Sequence, residues 1–319
     1  MRNCRIKHIC CVDSIYSLFI YFLLNPDMKE STFFFVSKGV AKSVRDNLPF
    51  VKYVPSPQLN KIGVFFYHIY IYIYIMIYMK IRRIPKGLPT FGHDFLRWSD
   101  YFVHSTQEFY LLEDGVGNYL YPVKFSNKYK ERRFYRFLVK TFPMFTLPFG
   151  LSSHVRRIYL TGIMEIPEII RNKTEIANID VLWNQLSELQ KKDILYVYAT
   201  DTKEIDDLLS TSRSVLLLTQ CFSEDGVWSE DEKISNYKKL LQDYSMDDVI
   251  IKTHPREKTN YKKIFPNALV ITSPIPFQLL NLLLDLKIKT AITYNSTAIF
   301  CLSDKVNKIT VDINNVSPQ

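Results

Sequence analysis

The sequence predicts an α/β protein built from two Rossmann-like halves. Two observations lead to this fold class. Short runs of β-branched and aromatic residues alternate with longer helical stretches, and the alternation starts again after a polar helical stretch, Asn172–Lys192. The chain of 319 residues is long enough for one large or two medium domains. We therefore expect an N-terminal domain over residues 1–190 and a C-terminal domain over residues 191–319.

The first half opens with a strand, a helix and a second strand. His8–Val12 and Thr32–Val36 are predicted strands, and Ile15–Leu24 is an apolar helix that Asp13-Ser14 can cap. This spacing indicates a parallel βαβ unit. Because Asp13 interrupts the apolar run and Asn25-Pro26-Asp27 offers no small-residue cleavage site, we expect a buried first strand and not a secretory signal.

The segment Ile62–Met79 has 18 residues without formal charge, alternates Ile with Tyr through Ile69–Ile75, and is followed by Lys80, Arg82 and Arg83. The alternation has the period of a strand, but the length suits a helix. Length and basic flank also permit an interfacial anchor or a membrane span, although tyrosine favours the membrane interface over the lipid core. We favour a buried core element, then peripheral membrane contact, then a span.

Composition and charge disfavour some classes of protein. With 47% hydrophobic and 23% charged residues, the chain has a globular composition. It contains neither a G-x-G-x-x-G fingerprint nor a P-loop. The net charge of +9 suits nucleic acid, an anionic membrane or a phosphorylated substrate, and nucleic acid ranks last because no zinc-finger spacing or RNP motif accompanies it. The five cysteines form no C-x-x-C pair, which indicates a reducing cytoplasm and mostly buried thiols; they are Cys4, Cys10, Cys11, Cys221 and Cys301.

An acidic loop follows a predicted strand of the first half. The apolar run Glu108–Leu112 stops at Glu113-Asp114-Gly115, and two adjacent acids with a glycine after a strand indicate a tight loop at the carboxyl edge of the sheet. Basic residues crowd the stretch Lys124–Arg136, which we expect to be mobile or lid-like. Arg157–Leu160 is a further predicted strand.

The second half repeats the alternation of strands and helices. Helices are predicted over Glu232–Tyr244 and Phe277–Leu286. The predicted strands are Ile194–Ala199, Val215–Gln220, Asp248–Lys252, Ala268–Ile271, Thr290–Tyr294 and Lys308–Asp312. Such a series is typical of a second Rossmann-like domain.

Two further motifs follow strands of the second half. His254-Pro255 follows Asp248–Lys252, and because proline suits the first turn of a helix, we expect the imidazole to lie beside free helix amides. Lys252 and Arg256 flank the imidazole, so an anionic ligand is expected there. Asn295-Ser296-Thr297 follows the fifth predicted strand of this half.

These groups suit transfer from a donor whose leaving group is a phosphate. A carboxylate of the acidic loop can remove a proton from an incoming hydroxyl, and an imidazolium, two hydroxyls and backbone amides can hold the phosphate. We expect no metal site, because His254, Lys252 and Arg256 can supply the positive charge and no D-x-D motif follows a predicted strand.

The three motifs, in this order, resemble those of the bacterial sialyltransferases, and most closely those of glycosyltransferase family 52. The resemblance depends on Leu112–Asn118, on Lys252–Glu257 and on Tyr294–Ile299, where acidic-acidic-Gly, His-Pro and Ser-Thr occur. It implies a GT-B-like fold with two Rossmann-like domains facing a cleft, the N-terminal domain on the acceptor side and the C-terminal domain binding CMP-sialic acid.

The resemblance also implies a reaction and its partners. Sialic acid would pass from CMP-sialic acid, a donor substrate and not a cofactor, to a terminal galactose of a capsular polysaccharide or lipooligosaccharide, with inversion and without a metal ion. The acceptor could equally be a lipid-linked oligosaccharide, which suits a cytoplasmic enzyme at the inner membrane face. A homodimer is also implied.

Residue roles follow from the same resemblance. Asp114 would be the general base, with Glu113 supporting it or sharing its role. His254 would contact the CMP phosphate and act as general acid. The expected donor-binding residues are Lys252, His254, Pro255, Arg256, Ser296, Thr297 and Gln220.

A second acidic-acidic-Gly sequence, Glu224-Asp225-Gly226, leaves the identity of the base open. Either Asp225 or Asp231 could serve, or the loop could simply be solvated and cap the helix that follows. We favour Asp114, because a base on the opposite domain would face the donor across the cleft. Two other functions stay open: a GT-B transferase with another nucleotide sugar, and a scaffold without catalytic activity in polysaccharide assembly.

Overall fold

The computed structural model describes residues 6–57, 60–106, 108–284 and 287–313. The chain divides into two compact units, Met1–Val197 and Tyr198–Gln319. The expected boundary after residue 190 falls inside a helix, Glu188–Tyr198. Cys4 lies outside the described residues. Each unit is an α/β structure around one parallel sheet, which confirms the predicted fold class.

The first unit contains a seven-stranded sheet in the order β3-β2-β1-β4-β5-β6-β7, in which all neighbours are parallel. Its strands are β1 (His8–Val12), β2 (Thr32–Val36), β3 (Val51–Tyr53), β4 (Thr90–Gly92), β5 (Phe109–Leu112), β6 (Val155–Leu160) and β7 (Thr174–Ile176). The short strands β3, β4 and β7 were not predicted, because three residues carry too little periodicity.

Helices join these parallel strands and cover the sheet, so a strand such as β2 is buried along its whole length. The helices are α1 (Ile15–Leu24), α2 (Lys42–Asp46), α3 (Lys61–Ile81), α4 (Asp100–Ser105), α5 (Gly117–Glu131), α6 (Arg133–Thr141), α7 (Glu168–Arg171), α8 (Ile179–Gln185) and α9 (Glu188–Tyr198). The Ser14 side chain caps α1 by accepting a hydrogen bond from the Ser17 amide, as expected from Asp13-Ser14.

The second unit contains a five-stranded parallel sheet in the order β10-β9-β8-β11-β12. Its strands are β8 (Val215–Leu218), β9 (Val249–Lys252), β10 (Leu269–Ile271), β11 (Thr290–Tyr294) and β12 (Asn307–Val311). Its helices are α10 (Thr202–Ser210), α11 (Glu230–Leu240), α12 (Tyr261–Ile264) and α13 (Phe277–Leu284). Five of the six strands predicted for this half are therefore present.

The sixth predicted strand, Ile194–Ala199, was wrong, because these residues belong mostly to helix α9. Ser187 and Gln190 form the two hydrogen bonds of a capping box at its start: the Gln190 amide donates to Ser187 Oγ, and the Ser187 amide donates to Gln190 Oε1. The S-x-x-Q spacing was visible in the sequence and outweighs the β-branched run that follows it.

The expected mobile or lid-like stretch Lys124–Arg136 is also helical, within α5 and α6.

The segment Ile62–Met79 forms most of α3, a helix and not a strand. Ile71, Ile75 and Met79 are buried in the core of the first unit. In the most apolar stretch of 18 residues in α3, however, only 17% of the residues are buried. The prediction of a buried core element was therefore wrong for most of the segment. By length and composition alone, Ile62–Ile81 is long and apolar enough to cross a membrane.

Candidate active site

The strand order of each sheet predicts where a ligand binds. In an open parallel sheet, ligands lie outside the carboxyl ends of the strands where the strand order reverses. In the first sheet this point lies between β1 and β4, and in the second it lies between β8 and β11. The three predicted motifs follow β5, β9 and β11, so each lies on a strand at this point or next to it.

Strand β4 is followed by a residue that the sequence analysis missed, His93. Gly92 has a φ of 147°, and a Cβ at this position would lie 1.9 Å from the carbonyl oxygen of Cys11 on β1. Only glycine permits this close approach, and the His93 amide then donates to the same Cys11 oxygen at 2.9 Å. The glycine therefore places His93 at the reversal point of the first sheet.

Glu113, at the end of β5, is completely buried and all its partners are donors. Its carboxylate accepts hydrogen bonds from the Tyr16 hydroxyl at 2.9 Å, the Tyr119 hydroxyl at 2.7 Å and the Thr161 amide at 2.6 Å. The Thr161 hydroxyl donates to it as well, at 2.8 Å. Four donors therefore hold this buried carboxylate in place beneath the acidic loop.

Asp114 has different surroundings. Its side chain is 32% exposed, and its Oδ1 atom lies 3.4 Å from Ser17 Oγ and 3.6 Å from His93 Nε2. The backbone amide of Asp114 donates to the side chain of Asn118, which fixes the loop. The carboxylate is thus held at the sheet edge with one side open to solvent.

His93 is a neutral hydrogen-bond donor at this site. Burial lowers its pKa from the usual value for histidine, although the nearby Asp114 and Asp13 act in the opposite direction. Nδ1 accepts the Asp13 amide at 3.3 Å, so in the neutral ring the proton is on Nε2 and points at Ser17 Oγ, 2.7 Å away. The Ser17 hydroxyl in turn donates to the Glu113 carbonyl at 2.6 Å, so Asp114 Oδ1 lies beside a hydroxyl and a neutral ring whose protons are mainly engaged elsewhere.

In the second unit, His254 begins a turn after β9. The Glu257 amide donates to the His254 carbonyl at 3.0 Å, which closes the turn around Pro255 and Arg256. The expected helix at Pro255 is absent from this described stretch, and the next helix, α12, begins at Tyr261. The Glu257 side chain accepts the His254 amide at 2.8 Å, so this amide is already paired and is not one of the free helix amides that we expected.

The orientation of the His254 ring is set at Nδ1. Cys221 Sγ lies 2.8 Å from this atom, and the Arg256 amide donates to it at 3.2 Å. Burial lowers the pKa of His254, and the neighbouring Arg256 and Lys252 lower it further. These effects favour the neutral ring in the free protein, and because Nδ1 accepts the Arg256 amide, the proton of that neutral ring is on Nε2. The imidazolium expected at a bound phosphate stays a prediction.

A buried ion cluster supports this turn. Lys233 on α11 is fully buried, and its Nζ lies 3.1 Å from Glu224, 3.4 Å from Glu230 and 3.5 Å from Glu257. Glu257 also accepts hydrogen bonds from the hydroxyls of Thr219 and Tyr261, the latter at 2.7 Å. Charge pairing inside the unit thus connects α11 to the turn that carries His254.

The alternative bases Asp225 and Asp231 lie in the same region. Both carboxylate oxygens of Asp225 accept hydrogen bonds from Arg256, at 2.8 and 3.1 Å, and this pairing lowers the pKa of Asp225. Asp231 is exposed in the first turn of α11. Ser229 and Glu232 form a capping box at the start of α11, so this acidic stretch caps a helix, as the alternative interpretation expected.

The other donor-binding candidates are distributed over β8, β9 and β11. Lys252 is buried, its Nζ donates to the carbonyls of Thr253 and Ser273, and burial lowers its pKa to about 8. Pro255 is exposed at the tip of the turn, and Gln220 follows β8. Ser296 precedes a 3-10 turn after β11, and the side chain of Thr297 lies outside the described part of the chain.

Sequence reasoning missed His93 and Cys221. The triplet Gly92-His93-Asp94 follows Phe91, but the strand before it is too short to be recognised. Cys221 was interpreted only as a buried thiol, although it is one residue beyond the predicted strand Val215–Gln220. The residues that they contact, Ser17 for His93 and His254 for Cys221, lie far from them in the sequence.

Comparisons with known proteins give the family. The model of the family described as glycosyltransferase family 52 matches residues 67–317. A Haemophilus influenzae relative, described only as an uncharacterized protein, is 36% identical over 211 residues, which are 66% of this chain and 64% of that protein. The matched region thus spans less than two thirds of that relative.

Three solved structures share the fold, and each match covers 98% of this chain. A Photobacterium phosphoreum α/β-galactoside α-2,3-sialyltransferase has a TM-score of 0.52 at 13% identity over 93% of its chain. A Photobacterium damsela sialyltransferase has a TM-score of 0.53 at 14% identity over 76% of its chain. A Photobacterium 2,6-sialyltransferase, crystallised with donor product CMP and acceptor lactose, has a TM-score of 0.53 at 10% identity over 73% of its chain. With a family match over most of its length, the chain belongs to glycosyltransferase family 52.

Proposed function

We propose that this chain is a sialyltransferase that moves sialic acid from CMP-sialic acid to a terminal galactose of a capsular polysaccharide or lipooligosaccharide, with inversion and without a metal ion. Family membership and the fold shared with bacterial sialyltransferases support the reaction class. The Photobacterium enzyme crystallised with CMP and lactose supports a CMP-linked donor and a galactose-terminated acceptor. The observation that carries the proposal is the half-exposed carboxylate of Asp114, which has no cationic side chain among its described contacts.

Asp114 is the general base of the proposed reaction. It takes the proton of the acceptor hydroxyl while the acceptor oxygen forms a bond to the anomeric carbon of sialic acid. The bond from this carbon to the phosphate oxygen breaks, and its electron pair leaves with CMP. A single displacement of this kind inverts the anomeric centre. Glu113 positions the loop, and His93 and Ser17 orient the carboxylate.

His254 holds the departing phosphate. Because Nδ1 accepts the Arg256 amide and lies against Cys221 Sγ, the Nε2 proton of the neutral ring is available to a phosphate oxygen. A bound phosphate favours the imidazolium through its negative charge, so the pKa of His254 rises on binding and the ring can pass a proton to the leaving group. Ser296, Thr297 and Gln220 are proposed to contact the same donor.

Acceptor-dependent release of CMP from CMP-sialic acid, with lactose as acceptor and EDTA present, tests the proposal. We expect turnover in the wild type and in the matched control Asp231→Ala, and loss of turnover in Asp114→Ala and His254→Ala. Turnover only after a divalent metal is restored would refute the metal-free mechanism. If another nucleotide sugar is used and CMP-sialic acid is not, the assigned donor is wrong.

A further inference from the structure

Helix α3 is apolar on two opposite faces. One face, with Ile71, Ile75 and Met79 at intervals of four residues, packs in the core of the first unit. The opposite face forms an exposed stripe at helical spacing, here called the α3 stripe: Ile62, Phe66, Tyr70, Ile73, Ile77 and Ile81. Phe66 is 64% exposed and Ile81 is 72% exposed. A continuous apolar stripe of this length on a water-facing surface indicates an interaction site.

Helix α6 is a second apolar element on the surface, and none of its residues is buried. Phe134 is 70% exposed and Phe137 is 54% exposed, and at helical spacing they lie on one side of α6. Arg133 and Lys140 are four and three residues from Phe137, so they lie beside it on the exposed side of α6. Exposed aromatic rings next to basic side chains suit contact with an anionic lipid surface.

The segment that follows α6 packs against α3. In this segment, the ring centre of Phe145 lies 5.9 Å from that of Phe65 and 4.9 Å from that of His68. Both contacts are made with the first part of α3. The segment after α6 is therefore attached to the helix that carries the α3 stripe.

Positive charge surrounds both helices. Exposed basic residues follow the α3 stripe at Lys80, Arg82, Arg83 and Lys86, and residues 61–93 contain no acidic side chain. Residues 124–140 contain seven basic side chains and one acidic side chain, Glu131. This excess is complementary to an anionic surface, and it opposes the pairing of two such surfaces from two copies of the chain.

We propose that the α3 stripe and α6 dock this protein on an anionic lipid surface, with α3 lying in the plane of the membrane. A membrane-spanning α3 would have to remove Ile71, Ile75 and Met79 from the core, whereas a helix in the plane keeps that packing and buries its exposed face in the interface. The proposal goes beyond the sialyl transfer proposed above and does not depend on it, because transfer to lactose needs no lipid surface. Because the cytoplasmic leaflet carries anionic lipids, the inner face of the cell membrane is the surface expected for this contact.

Flotation with lipid vesicles tests the proposal. We expect the full chain to float with vesicles that contain phosphatidylglycerol, to float far less with pure phosphatidylcholine, and to be released by high salt. The charge variant Arg133→Glu/Arg136→Glu should lower binding by at least about tenfold, since each basic residue near an anionic surface adds attraction. The stripe variant Phe66→Ser/Ile73→Ser/Ile77→Ser should also lower it at least about tenfold, because apolar burial adds to the attraction.

The matched control is Ile163→Ser/Ile176→Ser, which removes two exposed apolar side chains of the same unit outside both helices. It should float like the wild type. CMP release with lactose should be unchanged in the charge variant, which shows that the variant is folded and separates this test from the test of transfer. The proposal would be overturned if the wild type fails to float or binds neutral vesicles equally well. It would also be overturned by self-association that only the stripe variant abolishes, which would assign the stripe to a second copy of the chain.

Discussion

The two Glu-Asp-Gly loops of this chain have the same three residues and different surroundings. In each loop the glutamate side chain is largely buried and the glycine has a positive φ, 125° at Gly115 and 71° at Gly226. Both carboxylate oxygens of Asp225 accept hydrogen bonds from Arg256. Asp114 instead lies next to the hydroxyl of Ser17 and the neutral imidazole of His93. The chemistry available to such a loop is therefore decided by its partners and not by its own sequence.

The largest expected effect is on turnover, and it separates the two aspartates. Asp114→Asn keeps the shape of the side chain and removes its basicity, so acceptor-dependent CMP release should fall by about 10² to 10⁴-fold. Asp225→Asn should lower it by less than about tenfold, because it weakens an exposed ion pair and removes no proton acceptor from the reaction. A larger loss in Asp225→Asn than in Asp114→Asn would reverse the assignment of the base.

Much of the fold was predictable because strong periodicity is a local property. β1, α1, β2 and β11 have the predicted bounds, since each is a dense apolar run that ends at polar or turn residues. Strand β4 has three residues and too little pattern to be recognised, and the second half of α9 was assigned as a strand because its capping box was overlooked. Local signals were therefore sufficient for long elements and insufficient for short or capped ones.

The candidate site was less predictable than the fold, because its partners lie far apart in the sequence. The motifs with Asp114 and His254 could be found from strand ends. The pairing of Asp225 with Arg256, and of His254 with Cys221, depends on how β8 and β9 lie side by side. No spacing along the chain indicates such contacts, so the surroundings that lower the pKa of His254 could not be predicted from the sequence.

The second expected effect is on stability, and it is specific to the loop of the second unit. Lys233→Met removes the amine that faces three carboxylates, Glu224, Glu230 and Glu257, and leaves buried negative charge without a partner. We expect the free energy of unfolding of this unit to fall by about 3 to 5 kcal/mol, measured by denaturant titration. Lys238→Met, an exposed position on the same helix, is the control and should change it little. Equal effects of the two variants would contradict the proposed supporting role.

The loop of the first unit should respond in a different way. Glu113→Gln replaces one acceptor oxygen by an amide that faces the donors from Tyr16, Tyr119 and Thr161. The cost to the free energy of unfolding should be about 1 to 3 kcal/mol, the penalty for buried donors without an acceptor. Thermal unfolding compared with the exposed control Glu165→Gln gives the measurement, and a difference near zero would mean that Glu113 does not hold the loop.

The smallest expected effect concerns the pKa of His254. A thiol that donates to Nδ1 stabilises the neutral ring, and burial together with Arg256 and Lys252 already keeps the pKa of His254 below its usual value. Cys221→Ala removes this donor, so the pKa should rise toward the usual value for histidine, whereas Cys221→Ser keeps a donor and should leave it nearly unchanged. An NMR titration of the ring signals, assigned with His254→Gln, measures the shift.

Since the imidazolium binds phosphate more strongly, CMP affinity in Cys221→Ala should begin to weaken at a higher pH than in the wild type. An unchanged or lower pKa in Cys221→Ala would show that the thiol accepts a hydrogen bond at this position instead of donating one.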